Sequence, residues 1–122
     1  MKIFIGGEIE NIVGDKFRVV RNLVLNELNK IQLEVEDFLE ISFYVFVLKG
    51  FETIPRRRYV KKSKRLEIEV VLPYDEFKIA DEQQCVSIMK QSIINVISDY
   101  NNKNIKRNSI ELIKNEFIKV LK

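Results

Sequence analysis

The chain has 122 residues, of which 46% are hydrophobic and 32% are charged, and this composition excludes a disordered or membrane-embedded polypeptide. It contains no histidine and a single cysteine, which excludes an internal disulfide, a Ser-His-Asp triad and a Cys-His dyad. The net charge is +3, with −3 on residues 1–55 and +6 on residues 56–122, and this is less than the strong basic excess of a dedicated nucleic-acid binder.

The first predicted element is a short strand. Residues 2–5 (KIFI) are apolar and β-prone, and Gly6 and Gly7 are expected to end the strand in a turn. A phosphate-binding loop is the alternative interpretation of the two glycines. It is the weaker one, because the GxGxxG and GK[ST] patterns are missing and Glu8 would repel a phosphate.

A long amphipathic helix follows. Apolar side chains recur at spacings of three and four residues, which predicts one buried helical face. These side chains are Val13, Phe17, Val20, Val24, Leu28 and Ile31. The helix begins either near Asn11 or after Asp15 as its N-cap.

The middle of the chain predicts three strands. Residues 32–40 are acidic and ambiguous. Residues 41–48 (ISFYVFVL) carry β-branched and aromatic side chains on both faces and predict a central strand covered on each side. Residues 51–62 predict a strand with Pro55 near its start. Residues 65–72 alternate, with apolar side chains on one face and Glu67 and Glu69 on the other. The last two strands form a hairpin with its tip at residues 62–64. Arg57, Tyr59 and Lys61 share one face of its first strand and are expected to pair across it with Glu67 and Glu69, which leaves the charge of residues 62–65 unbalanced.

Two helices complete the predicted order. Residues 73–77 (PYDEF) are expected to be a loop, and Asp81 with Gln84 predicts a capping box at the start of a helix that contains Cys85 in its core. After a polar break at residues 101–108, Asn108 and Glu111 predict a second capping box. The order is β-α-β-β-β-α-α, which indicates an α+β fold: a small antiparallel or mixed four-stranded sheet with helices packed against it, in a single globular domain over residues 1–122.

The chain shows no catalytic signature. Three pairs of neighbouring carboxylates could in principle hold Mg²⁺ or perform acid–base chemistry, but such pairs are usually solvated surface groups. They are Glu8 with Glu10, Glu67 with Glu69, and Asp75 with Glu76. We therefore expect no enzyme activity, no metal site and no cofactor.

The apolar stretch at the N-terminus is too short for a signal peptide, because Gly6, Gly7 and Glu8 follow it directly. No apolar run approaches the roughly 20 residues of a membrane span. We expect a soluble, cytoplasmic protein that does not contact a membrane. Whether it is a monomer or a homodimer stays open.

The most unusual stretch is RRRYVKKSKR, residues 56–65, in which seven of ten residues are basic. It is a solvated hairpin end, a protein-binding surface or a nucleic-acid contact, and nucleic acid is the least favoured because no RNP-type aromatic motif is present. The candidate partner-binding residues are Arg57, Tyr59, Lys61, Lys64 and Arg65. The alternative candidates are the acidic residues Glu34, Glu36, Asp37 and Glu40.

Two segments resemble one of the immunity-protein families of bacterial polymorphic toxin systems. They are GEIENIVGDKFRVVRN, residues 7–22, and RRYVKKSKRLEIEVVLPYDEFKIAD, residues 57–81. The resemblance implies a small cytoplasmic protein, made beside a toxin, that binds the toxin domain and blocks it without catalysis. A small nucleic-acid-binding module that uses the hairpin 56–65 is the alternative function.

Overall fold

A computed structural model describes residues 1–122. The strands are β1 (Lys2–Ile9), β2 (Glu40–Val47), β3 (Arg57–Val60) and β4 (Arg65–Val71). The helices are α1 (Gly14–Leu28), α2 (Tyr74–Ile79), α3 (Glu82–Ser98) and α4 (Arg107–Leu121), and a 3₁₀ turn at Asn11–Val13 leads into α1. The helical segment therefore begins near Asn11, which is the first of the two predicted starts.

The four strands form one mixed sheet in the order β1-β2-β4-β3. β2 lies in the middle and pairs in parallel with both β1 and β4, whereas the short edge strand β3 pairs antiparallel with β4. The structure confirms the predicted α+β fold with a four-stranded sheet.

A single hydrophobic core lies between one face of the sheet and the helices α1, α3 and α4. The predicted stripe is buried from Val13 in the 3₁₀ turn to Leu28 at the end of α1, whereas its last member, Ile31, lies beyond the helix and is half-buried. Alternate residues of β2 and β4 are buried against the helices. The opposite face of the sheet has no helix on it, and Tyr44 in the middle of β2 is 43% exposed there. The prediction that β2 is covered on both faces is therefore wrong.

β1 is longer than predicted, because it continues through Gly6 and Gly7 to Ile9. The two glycines pair with Tyr44 and Val45 of β2 instead of turning the chain. A Cβ atom at Gly7 would lie 1.8 Å from the carbonyl oxygen of Val45, so the neighbouring strand approaches too closely for any side chain at this position. Gly7 is required by this approach, and the prediction of a strand-ending turn is wrong.

The segment predicted as a loop after β4 forms the short helix α2. Pro73 precedes the first turn, and the buried ring of Phe77 anchors the helix to the core. The Lys16 ammonium donates hydrogen bonds to the carbonyl oxygens of Phe77, Lys78 and Ala80 at 3.0, 2.8 and 2.7 Å. These bonds satisfy the carbonyl groups that the end of a helix leaves without partners.

One of the two predicted capping boxes is present. The Gln84 backbone N–H donates to Asp81 Oδ1 at 2.8 Å, and the Asp81 N–H donates to Gln84 Oε1 at 3.1 Å. The box predicted for Asn108 and Glu111 is wrong, because α4 begins two residues earlier, at Arg107, and has Lys106 at its N-cap position without a side-chain cap.

Candidate functional site

The basic hairpin exists, but its register differs from the predicted one. β3 begins at Arg57 rather than near Phe51, and the turn between the strands spans residues 61–64. Arg57 and Tyr59 lie opposite buried residues of β4, on the side of the sheet that the helices cover. Arg58 lies opposite Glu67, on the open face. The predicted pairing of Arg57 and Tyr59 with the glutamates of β4 is therefore wrong by one residue.

Two of the predicted partner-binding residues make contacts within the fold. The Tyr59 hydroxyl donates to the Asp37 carbonyl oxygen at 2.6 Å, and its ring packs edge-on against Phe38 with ring centroids 5.7 Å apart. Burial, followed by the Asp37 charge, raises the pKa of Tyr59 above its ordinary value. Arg57 forms an ion pair with Asp99 just after α3. Both side chains tie the hairpin to neighbouring segments.

The other three predicted residues lie at or beside the hairpin tip. Lys61 is exposed and Lys64 is half-buried, and neither forms an ion pair. Arg65 lies 3.5 Å from a Glu40 carboxylate oxygen and 3.7 Å from one of Glu67. The expectation that the whole tip carries unbalanced charge is therefore wrong for Arg65.

The acidic segment that was the alternative candidate site packs beside this hairpin. The Leu39 N–H donates to the Lys64 carbonyl oxygen at 2.9 Å. Glu36 forms an ion pair with Lys106 at 3.0 Å, and Asp37 accepts a hydrogen bond from the Ser109 hydroxyl at 2.7 Å. The bond to Glu36, followed by the charge of that residue, raises the pKa of Lys106. The two predicted surfaces thus meet at one end of the sheet, where the ion pair between Arg65 and Glu40 joins them.

A different group of side chains stands out on the open face of the sheet. Tyr44, Phe46 and Phe51 form a row, here called the aromatic ladder, with ring centroids 5.1 and 4.9 Å apart. Tyr44 and Phe51 are 43% and 36% exposed, and Phe46 is half-buried. The Tyr44 hydroxyl donates to Glu8 Oε1 on β1 at 3.2 Å. Burial, followed by this bond, raises the pKa of Tyr44.

Five carboxylates lie near the Phe51 end of the ladder, at the carboxyl ends of the parallel strands β1, β2 and β4, whereas Arg56 and Arg58 line a groove beside Tyr44. None of the five carboxylates forms an ion pair, and the three strand ends with their following residues (8–10, 48–53 and 71–76) contain one base, Lys49. We call these five the carboxylate rim: Glu8, Glu10, Glu52, Asp75 and Glu76. A groove of about 480 Å³ beside Phe51 is lined by the last three of them. Carboxyl ends of parallel strands meet at one edge of a sheet, which explains why distant carboxylates gather here.

The sequence pattern contained a weak signal for this site. The residues of β2 that face the helices are purely aliphatic or Phe, whereas the alternate set includes Ser42 and Tyr44, which carry hydroxyl groups. That difference indicates a half-exposed face. It was missed because Phe46 and Tyr44 are as hydrophobic as core residues.

The structure gives no geometry for metal-based chemistry. No group of three or more Cys, Asp or Glu residues is arranged to hold a metal ion. Glu69 is bound by Arg56 at 3.2 Å and Glu67 lies near Arg65, so the β4 carboxylate pair is engaged by arginines. Cys85 is buried, and this burial raises the pKa of its thiol. The helices are all too short or too polar to cross a membrane.

Comparison with known proteins identifies the family. The family model described as Immunity protein 44 matches residues 1–122, the full length of the chain. The comparisons with curated proteins and with solved structures gave no significant match. Because the family model covers every element of the fold, the aromatic ladder and the carboxylate rim included, the chain belongs to the Immunity protein 44 family.

Proposed function

We propose that this chain acts as a single domain that binds a cognate bacterial toxin domain and neutralises it by stoichiometric protein–protein interaction in the cytoplasm. The observation that carries the proposal is the match of the Immunity protein 44 model to residues 1–122. The toxin is the product expected from a gene beside that of the immunity protein, as in polymorphic toxin systems.

The physical features of the chain support a binding role without catalysis. An inhibitor of this kind must be a stably folded domain, and 29 buried hydrophobic residues form one continuous core here. It also needs exposed aromatic side chains as anchors, and the open sheet face provides them. Enzymes most often use histidine for proton transfer, and this chain contains none.

The alternative function, a nucleic-acid-binding module at residues 56–65, has weaker support. Arg56, Arg57 and Arg65 are three of the seven basic residues in that stretch, and each forms an ion pair within the chain. Paired arginines contribute less to the phosphate attraction on which nucleic-acid affinity depends. Partner contact through Lys61 and Lys64 at the tip stays a prediction.

The experiment is co-expression with the toxin domain encoded beside the gene of this chain. Bacteria that produce the toxin alone should stop growing, and bacteria that also produce this chain should grow and yield a complex that co-purifies. A Val24→Asp variant, expected to unfold, is the control that should not protect. Normal toxicity in the presence of the folded chain would refute the proposal. Binding to RNA or DNA with steep salt dependence, without protection, would favour the alternative.

A further inference from the structure

We infer that the docking surface is the aromatic ladder together with its carboxylate rim, and that its occupant is a cationic surface of the toxin domain. This inference rests on the proposed function. It places the partner at the end of the sheet opposite to the hairpin tip, residues 61–64, and the acidic segment 34–40.

The ladder has the properties of a binding anchor. Tyr44 and Phe46 are held on a sheet whose other face is packed on the core, and Phe51 contacts the Phe46 ring, so the three rings lose little conformational freedom on binding. Tyr44 is held further by its hydrogen bond to Glu8. Aromatic side chains that are exposed in the free protein and rigid in position are typical of the centre of an interface, where burial contributes most of the affinity.

The acidic charges at the Phe51 end of the ladder specify the chemistry of the occupant. The five rim carboxylates have no ion-pair partners, while at the opposite end Glu36 and Glu40 are paired with Lys106 and Arg65. Unpaired charges of one sign attract an oppositely charged partner and increase the association rate. A partner with lysines and arginines around an apolar centre would satisfy both the rim and the ladder.

The test uses the toxin domain carrying a substitution that removes its activity, so that it can be purified and titrated. Tyr44→Ala and Phe51→Ala should each raise the Kd by about 30-fold or more, mainly through faster dissociation. Glu52→Lys with Glu76→Lys should slow association by about tenfold at low salt and by less at high salt. Glu34→Lys is the control for the single change Glu52→Lys, which alters the net charge equally, because Glu34 is an exposed carboxylate without an ion pair at the other end of the sheet.

Circular dichroism melts must first show that each variant is folded. Wild-type rate constants in the ladder and rim variants would refute the docking surface alone, and a loss confined to Glu34→Lys would move the interface to the acidic segment. Failure of the unaltered chain to bind the toxin would refute the proposed function and the surface with it. A dimer of this chain that is lost in Tyr44→Ala, with toxin binding unchanged, would also overturn the inference, because the occupant would then be a second copy.

Discussion

Replacement of Tyr59 separates a structural role from a binding role for the hairpin. Tyr59→Phe removes only the hydroxyl that donates to the Asp37 carbonyl oxygen, and should lower the free energy of unfolding by about 1 kcal/mol. Tyr59→Ala also removes the edge-on contact with Phe38, worth about 1 kcal/mol, and the partial burial of the ring, worth about another 1 kcal/mol. The total loss of about 3 kcal/mol corresponds to a fall of roughly 10 °C in Tm for a domain of this size.

Urea denaturation of the wild type and both variants measures these losses directly. Because burial and Asp37 raise the pKa of Tyr59 above 10.0, its contribution is fully present below pH 10 and is lost as the pH rises further. The stability gap between the wild type and Tyr59→Phe should therefore narrow above pH 10. A surface change is expected to alter the free energy of unfolding by no more than about 0.5 kcal/mol. If Tyr59→Ala lowered it by no more than that while toxin binding fell sharply, Tyr59 would be a binding anchor and the structural argument would be wrong.

Four further perturbations test the fold. Val24 has no exposed surface, so Val24→Asp should destabilise the protein by about 4 kcal/mol or more and leave it unfolded by circular dichroism. Gly7→Ala should cost about 1–3 kcal/mol because its Cβ would clash with a carbonyl of β2, whereas Gly6→Ala, which meets no atom within 4 Å, should cost much less in the same urea melt. Lys16→Met should lower stability by about 1–2 kcal/mol and increase hydrogen exchange in α2, since three carbonyl oxygens lose their donor; unchanged exchange would contradict this role. The buried thiol of Cys85 should react with a thiol reagent only at the rate of unfolding, and fast labelling of the native protein would contradict its placement.

The elements that the sequence predicted correctly are those with local signals. The buried stripe of α1 repeats every three or four residues, and the capping box of α3 involves residues only three positions apart. The alternation of β4 likewise marks its buried face without reference to any other strand. Such patterns depend on the period of the element, so they need no knowledge of tertiary contacts.

The features that the sequence did not reveal depend on distant residues. The carbonyl groups at the end of α2 are bound by the ammonium group of Lys16, about sixty positions away along the chain. Gly7 is required because the backbone of β2 leaves no room for a side chain at this position. Alternation along β3 places Arg57 and Tyr59 on one face but does not show which residues of β4 lie opposite them, and a register one residue different moves every side chain of a strand to the other face.

The candidate site was hidden for a related reason. Hydrophobicity alone does not distinguish an aromatic residue on an open sheet face from one in the core, so Tyr44 and Phe46 were placed in a fully covered strand. The rim carboxylates come from three segments of the chain that only the parallel pairing of β1, β2 and β4 brings together. The basic residues of the hairpin are close together in the sequence, which indicates a charged surface, yet Arg56, Arg57 and Arg65 form ion pairs within the fold.

The most direct test of the central claim is a titration of active toxin with the purified chain, with residual toxin activity measured at each molar ratio. At toxin concentrations well above the Kd, stoichiometric binding predicts that residual toxin activity falls linearly with added chain. It should reach zero at one chain per toxin domain. Stoichiometric binding also predicts that the inhibition does not progress with time once binding is complete. Complete inactivation by a small fraction of an equivalent, increasing with incubation time, would show that the chain acts as a catalyst and would contradict the account.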